Sequence, residues 1–233
     1  MKRIVNGECL KDYFLSQQVV YDDVLSVNEL FVEGPLQSEI FSRAFMNERK
    51  HYLHETYEIP LSLIDEKSSD LLAITSLGAQ PITLWFDEDV FCQINLLVVL
   101  AYFSQRQIIN QLTVKLIPQQ FYHVISVDDE QIMSVHDINI AQADMIYQDV
   151  LVNKQYEKLL TYNEIELFRQ LPALKEALRW YIKLQQMNNE LVDYIEAQDT
   201  MNEEVLVKIL LSDYSNLGLT DMQYRKLIRK VRG

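Results

Sequence analysis

The segment EDVFCQINLLVVLAYFSQR, about residues 88–106, is apolar around nearly its whole helical circumference. A helix of that kind has no face to offer water, so it has to be enclosed between a sheet and neighbouring elements. Its most apolar run, INLLVVLAYF at 94–103, is about half the roughly 20 residues a membrane span needs. A buried helix inside a globular fold is therefore expected, with Asp87 placed to cap it.

The first half of the chain supplies the enclosing layers. Short runs rich in Val and Ile alternate with helical patterns: RIV near the start, QVVYD at 18–22, ITLWF at 82–86, LTVKLI at 112–117 and FYHVIS at 121–126. This alternation predicts an α/β domain over 1–136, a mostly parallel, Rossmann-like sheet flanked by helices. Between the second and third runs, Ile40, Phe41, Ala44, Phe45 and Tyr52 fall near helical spacing and predict the first large helix.

From about 137 the character changes, because no alternating run remains, helix formers dominate and no Gly occurs until Gly218. In LPALKEALRWYIKLQQ, Pro172 suits a first helical position, and Leu174, Ala177, Leu178, Tyr181 and Leu184 form one stripe. Two capping boxes, Thr200 with Glu203 and Thr220 with Gln223, open further helices around the stop signal Gly218. An all-helical C-terminal region over 137–233 is predicted. No Pro- or Ser-rich linker precedes it, so it is expected to pack on the sheet domain.

Composition narrows the function classes. The chain has 233 residues, 48% of them hydrophobic and 24% charged, enough for a substantial core without staples. A formal charge of −13 argues against nonspecific nucleic-acid binding, which depends on Lys and Arg displacing counterions. Two cysteines, Cys9 and Cys92, are too few for a disulfide scaffold and predict reduced thiols in a cytoplasm. Asn6, Glu8 and Asp12 stand where a signal peptide needs an apolar run, so no export and no membrane partner are expected.

In a doubly wound sheet, ligands bind beyond the carboxyl ends of the strands. The residues there are Asn6, Gly7, Glu8 and Cys9 after the first strand, then Asp22 and Asp23, then Asp87, Glu88 and Asp89, and His123 near a later one. The Gly7 corner reads either as an anion site at a helix start or as a plain strand-to-helix turn with Glu8 complementing the dipole. Cys9 reads as a nucleophile or, by the usual burial of Cys, as a packing residue. Asp23, Asp87 and Asp89 can hold Mg²⁺, act as general acid and base, or merely cap the buried helix. His51 and His54, with Glu55 and Glu58 nearby, have a metal-ligating spacing but lack a third strong ligand, which favours a solvated face.

The last helix, TDMQYRKLIRKVRG, concentrates Arg225, Lys226, Arg229, Lys230 and Arg232 in an otherwise acidic chain. With EEVLVKILL it resembles a helix-turn-helix able to meet DNA or a protein partner, although SDYSNLGL is longer than the usual turn. Helix-dipole and ion-pair arguments favour docking on the chain's own acids.

Several stretches together resemble the bacterial family called domain of unknown function 1835: IVNGECL, VNELFVEGPLQSEIFSRAFMNERKHYL, ITLWFDEDVFCQINLLVVLAYF and, more weakly, LPALKEALRWY and GLTDMQYRKLI. The family pattern falls on Gly7, Glu8, Asn28, Glu29, Gly34, Pro35, Arg49, Trp85, Asp89 and Gln93, with Glu8 where Asp is commoner. The resemblance implies a sheet with a polar crevice and a following helical region, and implies no reaction. It groups Glu8, Glu29 and Asp89 with Arg49, either as an ion-pair network or as a clamp for a ligand carboxylate or phosphate; Trp85 reads as core.

The leading expectation is a small polar or nucleotide-like ligand bound at the carboxyl edge, with Gly7, Glu8, Asn28, Glu29, Arg49, Asp89 and Gln93 as candidates. The alternatives are a hydrolase or phosphotransfer enzyme using Glu8, Glu29 and Asp89, with Mg²⁺, and a regulator docking DNA or a protein through Arg225, Lys226, Arg229 and Lys230.

Overall fold

The computed structural model describes residues 2–16, 24–78, 80–108, 112–117, 132–162 and 164–233. Among these, five strands form one sheet: β1 (Lys2–Asn6), β2 (Val24–Val27), β3 (Ile82–Asp87), β4 (Leu112–Ile117) and β5 (Met133–His136). Their spatial order is β2-β1-β3-β4-β5. The first four are mutually parallel, with Val5 opposite both Ser26 and Trp85, and β5 runs antiparallel along β4. The fold is α/β with a helical C-terminal region.

The helices of the first half are α1 (Glu8–Ser16), α2 (Arg43–Tyr57), α3 (Leu61–Lys67), α4 (Ser69–Thr75) and α5 (Val90–Gln105). The later ones are α6 (Ile140–Ile146), α7 (Lys158–Thr161), α8 (Glu166–Gln170), α9 (Pro172–Gln186), α10 (Glu190–Ala197), α11 (Glu203–Asp213) and α12 (Asp221–Arg232). Among the described residues, no helix is long and apolar enough to cross a membrane.

Alternation along the strands divides the sheet into two faces. Ile82, Leu84, Phe86, Val114 and Leu116 join α5 in the main core, while Val5 and Ile117 pack with Trp85 and α1 on the other side. Every residue of α5 from Cys92 to Phe103 is buried, because α6 and α9 cover the surface that the sheet does not. Leu174, Leu178 and Tyr181 of α9 therefore belong to the same core as the sheet.

Several local expectations shift. The second parallel strand is Val24–Val27; QVVYD, Asp22 and Asp23 lie outside the described residues, as do FYHVIS and His123. The α5 cap is Asp89 and not Asp87: the Asp89 carboxylate accepts from Cys92 N at 2.7 Å, whereas Asp87 ends β3. Ile40 and Phe41 precede α2, whose cap Ser42 accepts from Phe45 N. Asn202, not Thr200, caps α11, while the Thr220–Gln223 capping box is present. Cys9 is exposed on α1 instead of packed.

Candidate functional site

The sheet order reverses between β1 and β3, and this switch point is where doubly wound folds open a crevice. Here Asn6, Asp87 and Asp89 meet the start of α5, and all three are buried. Asn6 Nδ2 donates to Cys92 Sγ at 2.9 Å, and its Oδ1 accepts from Asn95 Nδ2 at 2.9 Å. The Cys92 thiol faces Asp87 Oδ2 at 3.8 Å. Gln93 Nε2 donates to the Asp87 carbonyl at 2.7 Å.

Burial, then the carboxylates of Asp89 and Asp87, push the Cys92 thiol well above its ordinary value. Burial also raises Asp89 despite its capping bonds. Gly218, at φ +64°, closes this site from the C-terminal region, since a Cβ there would overlap the Asp89 carboxylate. Asp87, Asp89 and Cys92 place one donor atom each within 4.8 Å of one another, and they are the group able to hold a metal among the described residues. His51, His54 and Glu55 are exposed on α2, and Glu58 is exposed at its C-terminal cap.

The motif pair Asn28 and Glu29 divides, because neighbouring residues of an extended segment face opposite ways. Asn28 donates to Glu8, the first residue of α1 after Gly7 (φ +80°). The Ser26 hydroxyl lies 2.9 Å from Glu8 and 2.8 Å from Asp70, which also accepts from Lys11 Nζ at 2.6 Å. One hydroxyl proton serves two carboxylates. Burial raises Glu8 and Asp70, but the bonds from Asn28 and Ser26, and from Lys11 and Ser26, outweigh it and hold both below the usual carboxylate range.

Glu29 turns the other way, into a buried ion pair with Arg49 of α2. Arg49 Nη2 donates to Glu29 Oε2 at 2.6 Å and to the Leu30 carbonyl at 3.1 Å, while Nε reaches Oε1 at 3.4 Å. Its Nη1 donates to the carbonyls of Glu33 at 2.6 Å and Pro35 at 3.4 Å. All five guanidinium N–H donors are thus engaged by protein oxygens. Arg49 fixes the segment 29–35, and Gly34 (φ +78°) lets that segment close on α2, since a Cβ would lie 2.5 Å from the Tyr52 ring.

The segment fixed in this way forms one wall of a cavity of about 180 Å³ beyond the carboxyl end of β2. Its apolar lining comes from Leu184 and Met187 at the end of α9, Leu219, and Leu227 of α12; its polar lining from Glu33, Tyr52, Gln223, Lys226 and Lys230. Glu33 accepts from Lys226 Nζ at 2.8 Å, from Gln223 Nε2 at 3.2 Å and from Tyr57. Lys226 also donates to Tyr52 Oη at 2.6 Å and sits 5.1 Å from that ring's centre. Burial alone would lower Lys226, but Glu33 and Tyr52 hold its ammonium above the ordinary lysine value. The capping box orients Gln223, whose Oε1 accepts from Thr220 N.

The basic helix is docked on acids at three of its four candidate positions. Arg225 pairs with Glu203 and Glu204, Arg229 with Glu203, and Lys226 with Glu33. Lys230 is exposed at the cavity rim and forms no ion pair among the described residues. None of Glu8, Glu29, Arg49 and Asp89 lines the cavity of about 180 Å³. Sequence reasoning missed Glu33, Tyr57 and Asn95, which carry no motif of their own, and used Tyr52 only as a helix-face residue. Comparison with family models, with curated proteins and with solved structures finds no match to this chain.

Proposed function

We propose that the protein binds a small polar acid, or the charged end of a nucleotide-like ligand, at the carboxyl edge of its sheet, in the cavity between residues 32–34 and α12. The observation that carries this reading is Lys230, a cation at the rim of a half-apolar cavity with no acid of its own among the described residues. Lys226 supplies a second ammonium, already positioned by Glu33 and Tyr52. Arg49 serves the site at one remove, by fixing the wall. At about 180 Å³ the cavity is smaller than the roughly 300–1,000 Å³ of typical ligand sites, which suits a carboxylate or phosphate group with a short apolar body.

A cytoplasmic setting belongs to the same reading and is supported by the free thiols Cys9 and Cys92. So does membership of the family called domain of unknown function 1835, a proposal that rests on the stretches resembling it, with Gly34 on the cavity wall and Arg49 bonded to the carbonyls that hold that wall. The test is a thermal-shift screen over mono- and dicarboxylic acids, phosphate esters and nucleotides. A ligand at 100 times its Kd stabilises by about 2.7 kcal/mol, a rise of roughly 5–11 °C for a chain of this size. The expected result is such a rise for one class of acid, abolished in Lys230→Ala without a change in the unliganded midpoint. No rise with any compound, or a rise that survives both Lys230→Ala and Lys226→Met, would overturn the reading.

A further inference from the structure

We infer that the switch-point cluster is a buried site for one divalent transition metal of the zinc class, with Asp87, Asp89, Cys92 Sγ and the amide oxygen of Gln93 as ligands. The three acidic and thiol donors lie within 4.8 Å of one another, with Cys92 Sγ and Asp87 Oδ2 3.8 Å apart, against edges of roughly 3.3–3.8 Å around a tetrahedral zinc whose bonds are about 2.0–2.3 Å. One further feature points to a ligand there. Gln93 is fully buried, and its amide is seated on Asp87 through Nε2, yet its Oε1 has no hydrogen-bond partner among the described residues. A buried amide oxygen left unsatisfied is costly, and a cation on the same cluster would satisfy it. The Cys92 sulfur, in turn, accepts an N–H from Asn6, which Asn95 holds in place. Donors aimed at sulfur in this way form the outer shell that orients and tunes a metal-bound thiolate.

The chemistry of the donor set selects the metal. Two carboxylates alone suit Mg²⁺, but a sulfur at the same point does not, whereas zinc and cobalt accept oxygen and sulfur together. Binding replaces the thiol proton, which leaves to solvent, and the resulting thiolate and two carboxylates surround the dication. Because Gly218 closes over Asp89, the metal enters as the chain folds.

The test uses the full chain, unfolded in guanidinium with a chelator, freed of both, and refolded with one equivalent of Co²⁺. The expected result is one cobalt per chain with a thiolate-to-cobalt charge-transfer band, kept in Cys9→Ala and lost in Cys92→Ala. Since Asn caps a helix as well as Asp, Asp89→Asn should keep the helical circular dichroism of the parent while weakening cobalt binding about tenfold or more. Absence of the band in the wild-type chain, its persistence in Cys92→Ala, or a midpoint raised by Mg²⁺ but by neither Co²⁺ nor Zn²⁺ would overturn the assignment.

Discussion

Removing Arg49 tests how the wall of the cavity is held. Arg49 and Glu29 are 1% and 3% exposed, and the guanidinium also satisfies the carbonyls of Leu30, Glu33 and Pro35. Arg49→Met leaves the Glu29 carboxylate buried without its cation and takes the guanidinium donor from the carbonyls of Glu33 and Pro35, while that of Leu30 keeps the Glu33 N–H at 3.1 Å. Losing one partner of a buried pair costs about 3–5 kcal/mol. For a chain of this length that is a fall in Tm of roughly 6–20 °C. Equilibrium urea unfolding of Arg49→Met, Glu29→Met and the double variant gives the coupling directly. The double variant should lose clearly less than the sum of the two, since an apolar pair leaves no orphaned charge. The exposed pair Arg179–Glu176, at 3.0 Å, is the control, worth about 0–1 kcal/mol. A loss of under about 1 kcal/mol in Arg49→Met, or strict additivity of the two changes, would refute the buried-staple account.

Gly34→Ala adds a left-handed backbone penalty of about 1–2 kcal/mol to overpacking of about 1–3 kcal/mol against the Tyr52 ring and Arg49, and chemical denaturation should show about 2–5 kcal/mol lost. Asp70 is held below the usual carboxylate range, so its contribution is present above its unfolded pKa near 4 and is lost as pH falls through the lower folded value. Unfolding midpoints measured from pH 6 down to about 2 should therefore drop less steeply in Asp70→Asn than in the parent; parallel curves would contradict this.

The buried helix α5 and three of the strands were legible because their signals are local: an all-apolar run, and the Val- and Ile-rich pattern of β1, β3 and β4. The strand Val24–Val27 drew no reading of its own, since VLSV is short and a serine interrupts it. Ser26 is there because its hydroxyl and N–H hold Asp70, a contact 44 residues away. The edge strand β5 gave no alternation because Met133, Ser134 and His136 are all exposed. Local rules also cannot choose between Asp87 and Asp89 as the cap, or between Thr200 and Asn202; the chain's path into the helix decides both.

The grouping of the candidate residues was not legible. Glu8, Glu29, Arg49 and Asp89 separate into three clusters, because Asn28 and Glu29 face opposite ways and Asp89 sits under Gly218. The cavity depends on Glu33 meeting Gln223 and Lys226, 190 and 193 residues further along the chain. No spacing in the sequence encodes that meeting, although the capping box that orients Gln223 was visible.

The central claim, that an acidic ligand binds between residues 32–34 and α12, is tested most directly by titrating the ¹⁵N-labelled chain with the acid that gives the largest thermal shift. The account predicts that amide perturbations concentrate at Val32–Gly34, Tyr52 and residues 223–230 and vanish in Lys230→Ala. Perturbations centred instead on Gly7, Glu8 and Asn28, or unchanged in Lys230→Ala, would contradict it.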